Sequence, residues 1–75
     1  MTAFPNPCND ILNISHIPPG AKIELYNTLG YKVYEANRVT GNALNIDCSN
    51  FESGVYFLRI TGKENSHFER IVIMK

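Results

Sequence analysis

Short apolar runs alternate with polar positions along this chain, and turn-forming residues separate the runs. Residues 22–26 read Lys-Ile-Glu-Leu-Tyr, which puts Ile23 and Leu25 on one face of a strand and the other three residues on the opposite face. Leu44 and Ile46 alternate with polar neighbours in the same way. Turn signals about 8 to 12 residues apart predict an all-β sandwich or barrel. They lie at Pro18-Pro19-Gly20, Asn27 to Gly30, Gly41-Asn42, Ser53-Gly54 and Gly62 to Asn65.

The clearest local prediction is a β-hairpin made of residues 22–26 and 31–35. Its turn is Asn27-Thr28-Leu29-Gly30. Asparagine opens a type I turn well, and Gly30 supplies the positive φ that closes such a loop. We therefore expect Gly30→Val to be among the most damaging single changes outside the core, because a β-branched residue is strained there.

Residues 51–56 predict a tyrosine corner, in which a phenol at the edge of a sandwich bonds back to nearby backbone. The segment has a large apolar residue, then a glycine, then Tyr56 at the start of a strand. From there Tyr56, Leu58 and Ile60 share the predicted core face. The opposite face, which contains Phe57, is either covered by a neighbouring segment or forms a small exposed apolar patch.

The last segment, residues 67–75, leaves its register open. Two alternating sets are both partly apolar, so either a strand with apolar residues on two faces or a bulge would explain the pattern. The sets are Phe68, Arg70, Val72 and Met74 against His67, Glu69, Ile71 and Ile73.

Length and charge narrow the classes of function. The chain has 75 residues, with seven Lys plus Arg balancing seven Asp plus Glu. A chain this short predicts one domain with little room for a catalytic cleft, so we do not expect an enzyme. A net charge of zero argues against nucleic acid or anionic lipid as partners. The short apolar runs predict no membrane insertion, and we expect any export signal to lie outside this sequence.

The residues with reactive or metal-binding side chains show no catalytic, cofactor or metal pattern. His16 and His67 have no Cys or carboxylate at ligand spacing, and we expect both at the surface. Cys8 and Cys48 form the one possible disulfide, but Cys48 continues the alternation of its strand, so two free thiols are favoured over a bridge. The acidic and amide residues near 6–10 and 47–52 lack EF-hand spacing and are expected to be solvated loops or turn caps rather than a calcium site.

Pro5-Asn6-Pro7 is a rigid extended element that cannot donate ladder hydrogen bonds at either proline. It has two interpretations: a kink that keeps the first edge from pairing with other chains, or a recognition epitope. Spacing alone favours the kink.

Three landmarks together resemble the type A C-terminal sorting domain of the type IX (Por) secretion system. The resemblance covers residues 4–75 and assigns residues 1–3 to a remnant of a linker or an expression vector. It implies an immunoglobulin-like antiparallel β-sandwich of about seven short strands. The landmarks are Phe4-Pro5-Asn6-Pro7 with Asp10-Ile11-Leu12-Asn13-Ile14, then Ile23 to Gly30 with Val33, then Ser53-Gly54-Val55-Tyr56-Phe57-Leu58-Arg59-Ile60.

The family resemblance also implies a function. Such domains end larger proteins exported by Bacteroidetes, and the cargo first enters the periplasm through an N-terminal signal. An outer-membrane translocon then recognises the domain. A sortase-like peptidase usually removes it at the cell surface while attaching the cargo to an anionic lipopolysaccharide. The implied role is therefore a C-terminal secretion signal for the cell surface or the extracellular space, with no catalysis and no cofactor.

The recognition residues carried over by position are Pro5, Asn6, Pro7, Gly54, Tyr56 and the strand Arg70 to Lys75. The last element departs from the family, which has several lysines near the end, whereas here only Arg70 and Lys75 are basic. We hypothesise that Ile71, Ile73 and Lys75 contact the translocon at an exposed edge by strand addition. Deleting residues 70–75 is then expected to leave fused cargo in the periplasm.

The alternative function is an accessory carbohydrate-binding or adhesion β-sandwich of a secreted enzyme. Sugar platforms present exposed aromatic faces, and without Trp the candidates are Tyr26, Tyr31 and Tyr34. Cross-strand packing within the hairpin is the favoured role for these tyrosines. A third possibility is a structural linker, which predicts equal export without the domain.

Overall fold

A computed structural model describes residues 2–5, 8–63 and 65–75, apart from the side chains of Thr2 and Phe4. All the regular elements in these ranges are strands, which confirms the all-β prediction. No helix among these residues is long and apolar enough to cross a membrane. The strands are β1 Thr2–Phe4, β2 Ile11–Ser15, β3 Lys22–Asn27, β4 Lys32–Ala36, β5 Ala43–Asp47, β6 Gly54–Thr61 and β7 Ser66–Ile73.

The strands form two antiparallel sheets, in the orders β1-β2-β5 and β4-β3-β6-β7. In immunoglobulin nomenclature β1, β2 and β5 correspond to strands A, B and E, and β3, β6 and β7 to C, F and G. The fourth strand lies beside β3, at the C′ position. The predicted immunoglobulin-like sandwich of about seven strands is therefore what the described part of the chain forms.

The core lies between the two sheets and draws on both. Ile23 and Leu25 of β3 face it, as the alternation predicts, and so do Leu58 and Ile60 of β6. Each predicted turn signal falls at or between strand ends, where backbone groups can reach solvent or pair locally. The buried apolar residues are Cys8, Leu12, Ile14, Ile17, Ala21, Ile23, Leu25, Val39, Ile46, Cys48, Tyr56, Leu58, Ile60, Ile71 and Ile73.

The predicted β3–β4 hairpin is present, with the predicted turn. The Gly30 N–H donates to the Asn27 carbonyl at 3.0 Å, and Gly30 has a φ of 88°. The Asn27 side-chain oxygen accepts from the backbone N–H groups of Leu29 and Tyr31, both at 3.0 Å. The returning strand starts one residue later than predicted, at Lys32. Its pairing with β3 has a register shift between Leu25 and Tyr26.

The structure also selects one register for β7. It pairs with β6 without interruption from Gly54↔Ile73 to Thr61↔Ser66, so no bulge is needed. Ile71 and Ile73 point into the core, while Phe68, Arg70 and Val72 lie on the outer face of the four-stranded sheet.

The start of the fold lies two residues earlier than the sequence suggests. Thr2 and Ala3, which the resemblance assigns to a remnant, pair in β1 with Ser15 and Ile14. Ala3 also packs against the core. The boundary of the fold therefore moves from residue 4 to residue 2.

Candidate functional site

Tyr56 forms the predicted tyrosine corner at the start of β6. Its phenol donates to the Glu52 carbonyl at 2.7 Å, and its ring stacks on Phe51 with centroids 5.9 Å apart. Burial raises the pKa of the Tyr56 phenol, so it stays a hydrogen-bond donor. The corner fixes the loop between β5 and β6 against the core.

A shallow cleft of about 210 Å³ borders this corner. Residues 27–29 of the hairpin turn line one side, and residues 52–56 line the other. Gly54 stands at the start of β6 with a φ of 155°, a conformation that other residues rarely adopt, and open space lies where a side chain would be. Two sequence segments that carry the family resemblance thus line the same cleft.

β7 is the edge strand of the four-stranded sheet, and the backbone of Cys8 pairs with its end. The Cys8 N–H donates to the Val72 carbonyl at 2.9 Å, and the Met74 N–H donates to the Cys8 carbonyl at 2.8 Å. Because alternate residues of an edge strand turn their backbone groups outward, those of Ser66, Phe68 and Arg70 point away from β6 as those of Val72 do. We call the outward side of residues 66–69 the β7 edge; no strand in the described chain pairs with it.

An aromatic and cationic surface flanks the β7 edge. Phe57 and Phe68 are both exposed, the latter by 62%. The guanidinium of Arg59 lies 5.6 Å from the centroid of the Phe68 ring, a distance at which a cation is attracted to the ring face. Phe57 pairs across the strands with Arg70. Of the two alternatives predicted for the face that contains Phe57, the structure therefore shows the exposed patch and not a covering segment.

Lys75 is anchored to the loop that follows β5. Its ammonium donates to the carbonyls of Cys48 and Ser49, both at 2.7 Å, and its backbone N–H donates to the Ser53 hydroxyl at 3.0 Å. The charge that the resemblance assigns to recognition therefore also stabilises the position of the last residue.

The docking hypothesis requires Ile71 and Ile73 to be exposed at an edge, but the structure places both in the core. Both side chains are completely buried in the core, because their alternate set, not that of Phe68, faces the opposite sheet. Side-chain contact of these two isoleucines with a partner does not fit the folded domain. Among the other carried-over residues, Pro5 is exposed, and Asn6 and Pro7 lie outside the described residues.

Glu24 is the buried charged residue among those described, and the alternation gave no signal for its burial. It lies on the outer face of β3, where the Tyr26 phenol donates to its carboxylate at 2.8 Å. This hydrogen bond, helped by Lys22 and Lys32, holds the pKa of Glu24 below its usual range against the opposing effect of burial. Lys32 and Lys22 also each lie 3.1 Å from Glu35, whose pKa they lower.

The remaining candidates for chemistry have ordinary structural roles. His16 and His67 are both exposed, as predicted, although they line the same small cleft of about 150 Å³. Asp47 caps a turn by accepting from the Ser49 N–H at 3.0 Å, which lowers its pKa. Within the described ranges, no three His, Cys, Asp or Glu residues gather in a way that could hold a metal ion.

The three tyrosines of the alternative function do not form a shared platform. Tyr34 packs against the core, and Tyr26 is bonded to Glu24. Tyr31 is the exposed member of the three, at 68%. One exposed ring offers little stacking surface for a sugar chain.

Comparison with known proteins identifies the family. The chain matches the secretion system C-terminal sorting domain over residues 2–74. It is 33% identical over 73 residues to the ulvan lyase NLR42 of Nonlabens ulvanivorans, covering 95% of this chain and 14% of the lyase. The solved structure of PorZ, a surface component of the type-IX secretion system of Porphyromonas gingivalis, superposes with a TM-score of 0.85 at 20% identity, covering 99% of this chain and 11% of PorZ.

The chain thus spans a small part of both relatives. The likeness to PorZ shows a shared fold, and the family match carries the function. This chain therefore belongs to the secretion system C-terminal sorting domains, and it is a type IX secretion signal of a protein that passes to the cell surface or the extracellular space.

Proposed function

We propose that the outer-membrane translocon of the type IX system recognises this domain in the periplasm through the β7 edge, and that a sortase-like peptidase then removes it from its cargo. The match to the sorting-domain family over residues 2–74 carries the proposal. A larger protein that reaches the periplasm through an N-terminal signal supplies the cargo.

The backbone of β7 supports recognition by strand addition. Outward backbone groups on residues 66–69 can pair with an extended segment of a partner. The Cys8 backbone already pairs in this way with residues 72 and 74, so the same side of the strand accepts a ladder partner at its end. An added strand would therefore lie beside Ser66 and Phe68, on the same side of β7 as Cys8.

The side chains beside the edge support the same mode. Phe68 and Arg70 stand on the outer face of β7, where an added strand would place its own side chains next to them. β6 and the rest of the sheet hold these groups in place before binding, which lowers the ordering cost of docking. A domain that presents the same surface after any cargo is what a shared translocon requires.

Removing residues 70–75 tests folding rather than recognition. The deletion would take away Ile71 and Ile73, which are fully buried, and losing each costs about 2–5 kcal/mol in a packed core. Substitutions at the β7 edge separate the two effects.

The decisive variant is Phe68→Pro, compared with Phe68→Ala, in a secreted reporter fused to this chain. Proline removes one outward N–H of an edge strand and leaves the β6–β7 ladder in place. Alanine removes the same ring and keeps the N–H. We expect Phe68→Pro to reduce reporter at the cell surface at least tenfold, with reporter accumulating in the periplasm, and Phe68→Ala to retain most delivery.

Thermal melts of the two variant domains provide the folding control. Delivery of Phe68→Pro at the level of the unchanged fusion would exclude strand addition at this edge. An equal loss in both variants would assign recognition to the ring instead of the backbone. Removal by the peptidase is checked separately, since delivered reporter should lose an epitope placed in the loop at Lys63.

Pro5, Asn6 and Pro7 remain part of the proposed recognition motif. They immediately precede Cys8, whose backbone pairs with β7. Pro5→Ala with Pro7→Ala should reduce delivery if the element is read as an epitope. Unchanged delivery would leave it the role of a strand-initiating kink.

A further inference from the structure

Cys8 and Cys48 lie together in the core although 39 residues separate them in the sequence. Both are free thiols, 2% and 0% exposed. The two thiols are close enough for each to influence the pKa of the other. No other cysteine is present in the chain.

Backbone contacts hold each cysteine at this meeting point. The Cys48 N–H donates to the Asp10 carbonyl at 2.6 Å, which extends the β2–β5 ladder past Ile11↔Asp47. Cys8 lies two residues before Asp10 and is paired on its other side with the end of β7. The side chains are thus brought together by two sheets and not by a flexible loop.

We propose that Cys8 and Cys48 are a disulfide site, which a disulfide oxidant fills as the secreted domain folds. One thiolate attacks the oxidant and releases its thiol, giving a mixed disulfide. The second thiolate then attacks the protein sulfur of that mixed disulfide and releases the second thiol. The two cysteines lose two protons and two electrons, and the oxidant is reduced to two thiols.

The chemistry favours bond formation before the core closes. In the unfolded chain the pKa of a cysteine thiol is about 8.5. In the folded domain burial raises the pKa of Cys8 and raises that of Cys48 to about 11. Buried thiols therefore react slowly at neutral pH, and a bond made during folding is shielded from later exchange. Secreted proteins leave the reducing cytosol, where such bonds do not persist.

The bond would link the segment between β1 and β2 to the loop after β5. Strands β2 to β5 lie between the two cysteines, so the cross-link closes a long loop in the unfolded chain and stabilises the fold. The same loop holds the last residue through Lys75. The segment between β1 and β2, this loop and Lys75 would then be fixed together.

The test refolds the reduced, denatured 75-residue chain in a mixture of oxidised and reduced glutathione. We expect the monomer to lose the mass of two hydrogen atoms and to take up no iodoacetamide when denatured without reductant. Its melting temperature should exceed that of the reduced chain by roughly 10 °C or more. Recognition by a translocon plays no part in this measurement, so its outcome is independent of the proposed docking edge.

The matched controls are Cys8→Ala, Cys48→Ala and the double variant. Each single variant should keep one thiol that reacts with iodoacetamide after denaturation, and none of the three should show a melting temperature that depends on reductant. Two alkylatable thiols in the refolded unchanged chain, or cross-linked dimers as the sole oxidised product, would overturn the proposal. So would an oxidised monomer that melts at or below the temperature of the reduced one.

Discussion

At the level of single residues, Gly30 is required by the backbone of the hairpin rather than by packing. Its φ of 88° lies in the left-handed region, and no atom comes within 4 Å of the place where a side chain would begin. The cost of a substitution therefore comes from conformational strain alone. The sequence could predict this because the turn is local.

We predict that Gly30→Val lowers the free energy of unfolding by at least about 1 kcal/mol, since a β-branched residue is strained at positive φ. Urea denaturation measures this change. Gly41→Ala is the control, because Gly41 has no positive φ and only ordinary contacts, and it should change the free energy by less than about 0.5 kcal/mol. A loss below 1 kcal/mol for Gly30→Val would mean that the turn relaxes.

Glu24 shows the opposite case, in which a single residue depends on its tertiary surroundings. Its carboxylate is buried on a sheet face that alternation assigns to solvent, where it accepts from Tyr26 and lies near two lysines. Its pKa and that of Glu35 are lowered in the folded state. A carboxylate whose pKa is lowered in the folded state stabilises the fold at pH values above its pKa in the unfolded chain, which is about 4.3 for Glu.

We predict that the free energy of unfolding falls as the pH drops below about 5, because this stability is lost as the pH falls through the lowered pKa values of the folded state. In Glu24→Gln the fall should be smaller, and in Tyr26→Phe it should also be smaller, since the largest cause of the Glu24 shift is removed. Urea denaturation at pH 7 and near pH 3.5 makes the comparison. An acid loss in Glu24→Gln as steep as in the unchanged chain would exclude this carboxylate as a source.

At the level of elements, β7 joins the two functions of the domain. Its inner face closes the core with Ile71 and Ile73, and its outer face exposes Phe68 next to the β7 edge. Hence the last strand is both a structural and a candidate recognition element. The effect of a substitution in β7 therefore depends on which face of the strand the side chain occupies.

We predict that Ile71→Ala destabilises the domain by about 2–5 kcal/mol, because it leaves a cavity in a fully buried position. Val72→Ala, one residue along on the outer face, should cost much less. Thermal melts of the two variants give the comparison. Equal losses would mean that the register of β7 is not the one described.

At the level of the whole molecule, two small sheets enclose one core in a body with a radius of gyration of 11.4 Å. This is close to the value of about 11 Å expected for a compact chain of this length. With a net charge of zero, long-range attraction contributes little to its encounters. We therefore expect a partner to recognise the shape and backbone groups of a strand edge or sheet face, such as the β7 edge, rather than a charged cleft.

The family match and the fold agree at this scale, although the chain is a small part of each relative. A module that builds its own core can follow unrelated cargo without changing its surface. That independence is the physical basis for using a folded domain as a signal.

The sequence by itself determined the features that depend on near neighbours. Alternation places Ile23 and Leu25 inside, Asn27 and Gly30 specify their turn, and Tyr56 reaches a carbonyl four residues away. Only the tertiary structure decided the rest: which set of β7 faces inward, how Glu24 becomes buried, and that Cys8 meets Cys48. These outcomes depend on which strands become neighbours across and within the sheets, and such long-range pairing leaves no local pattern in the chain.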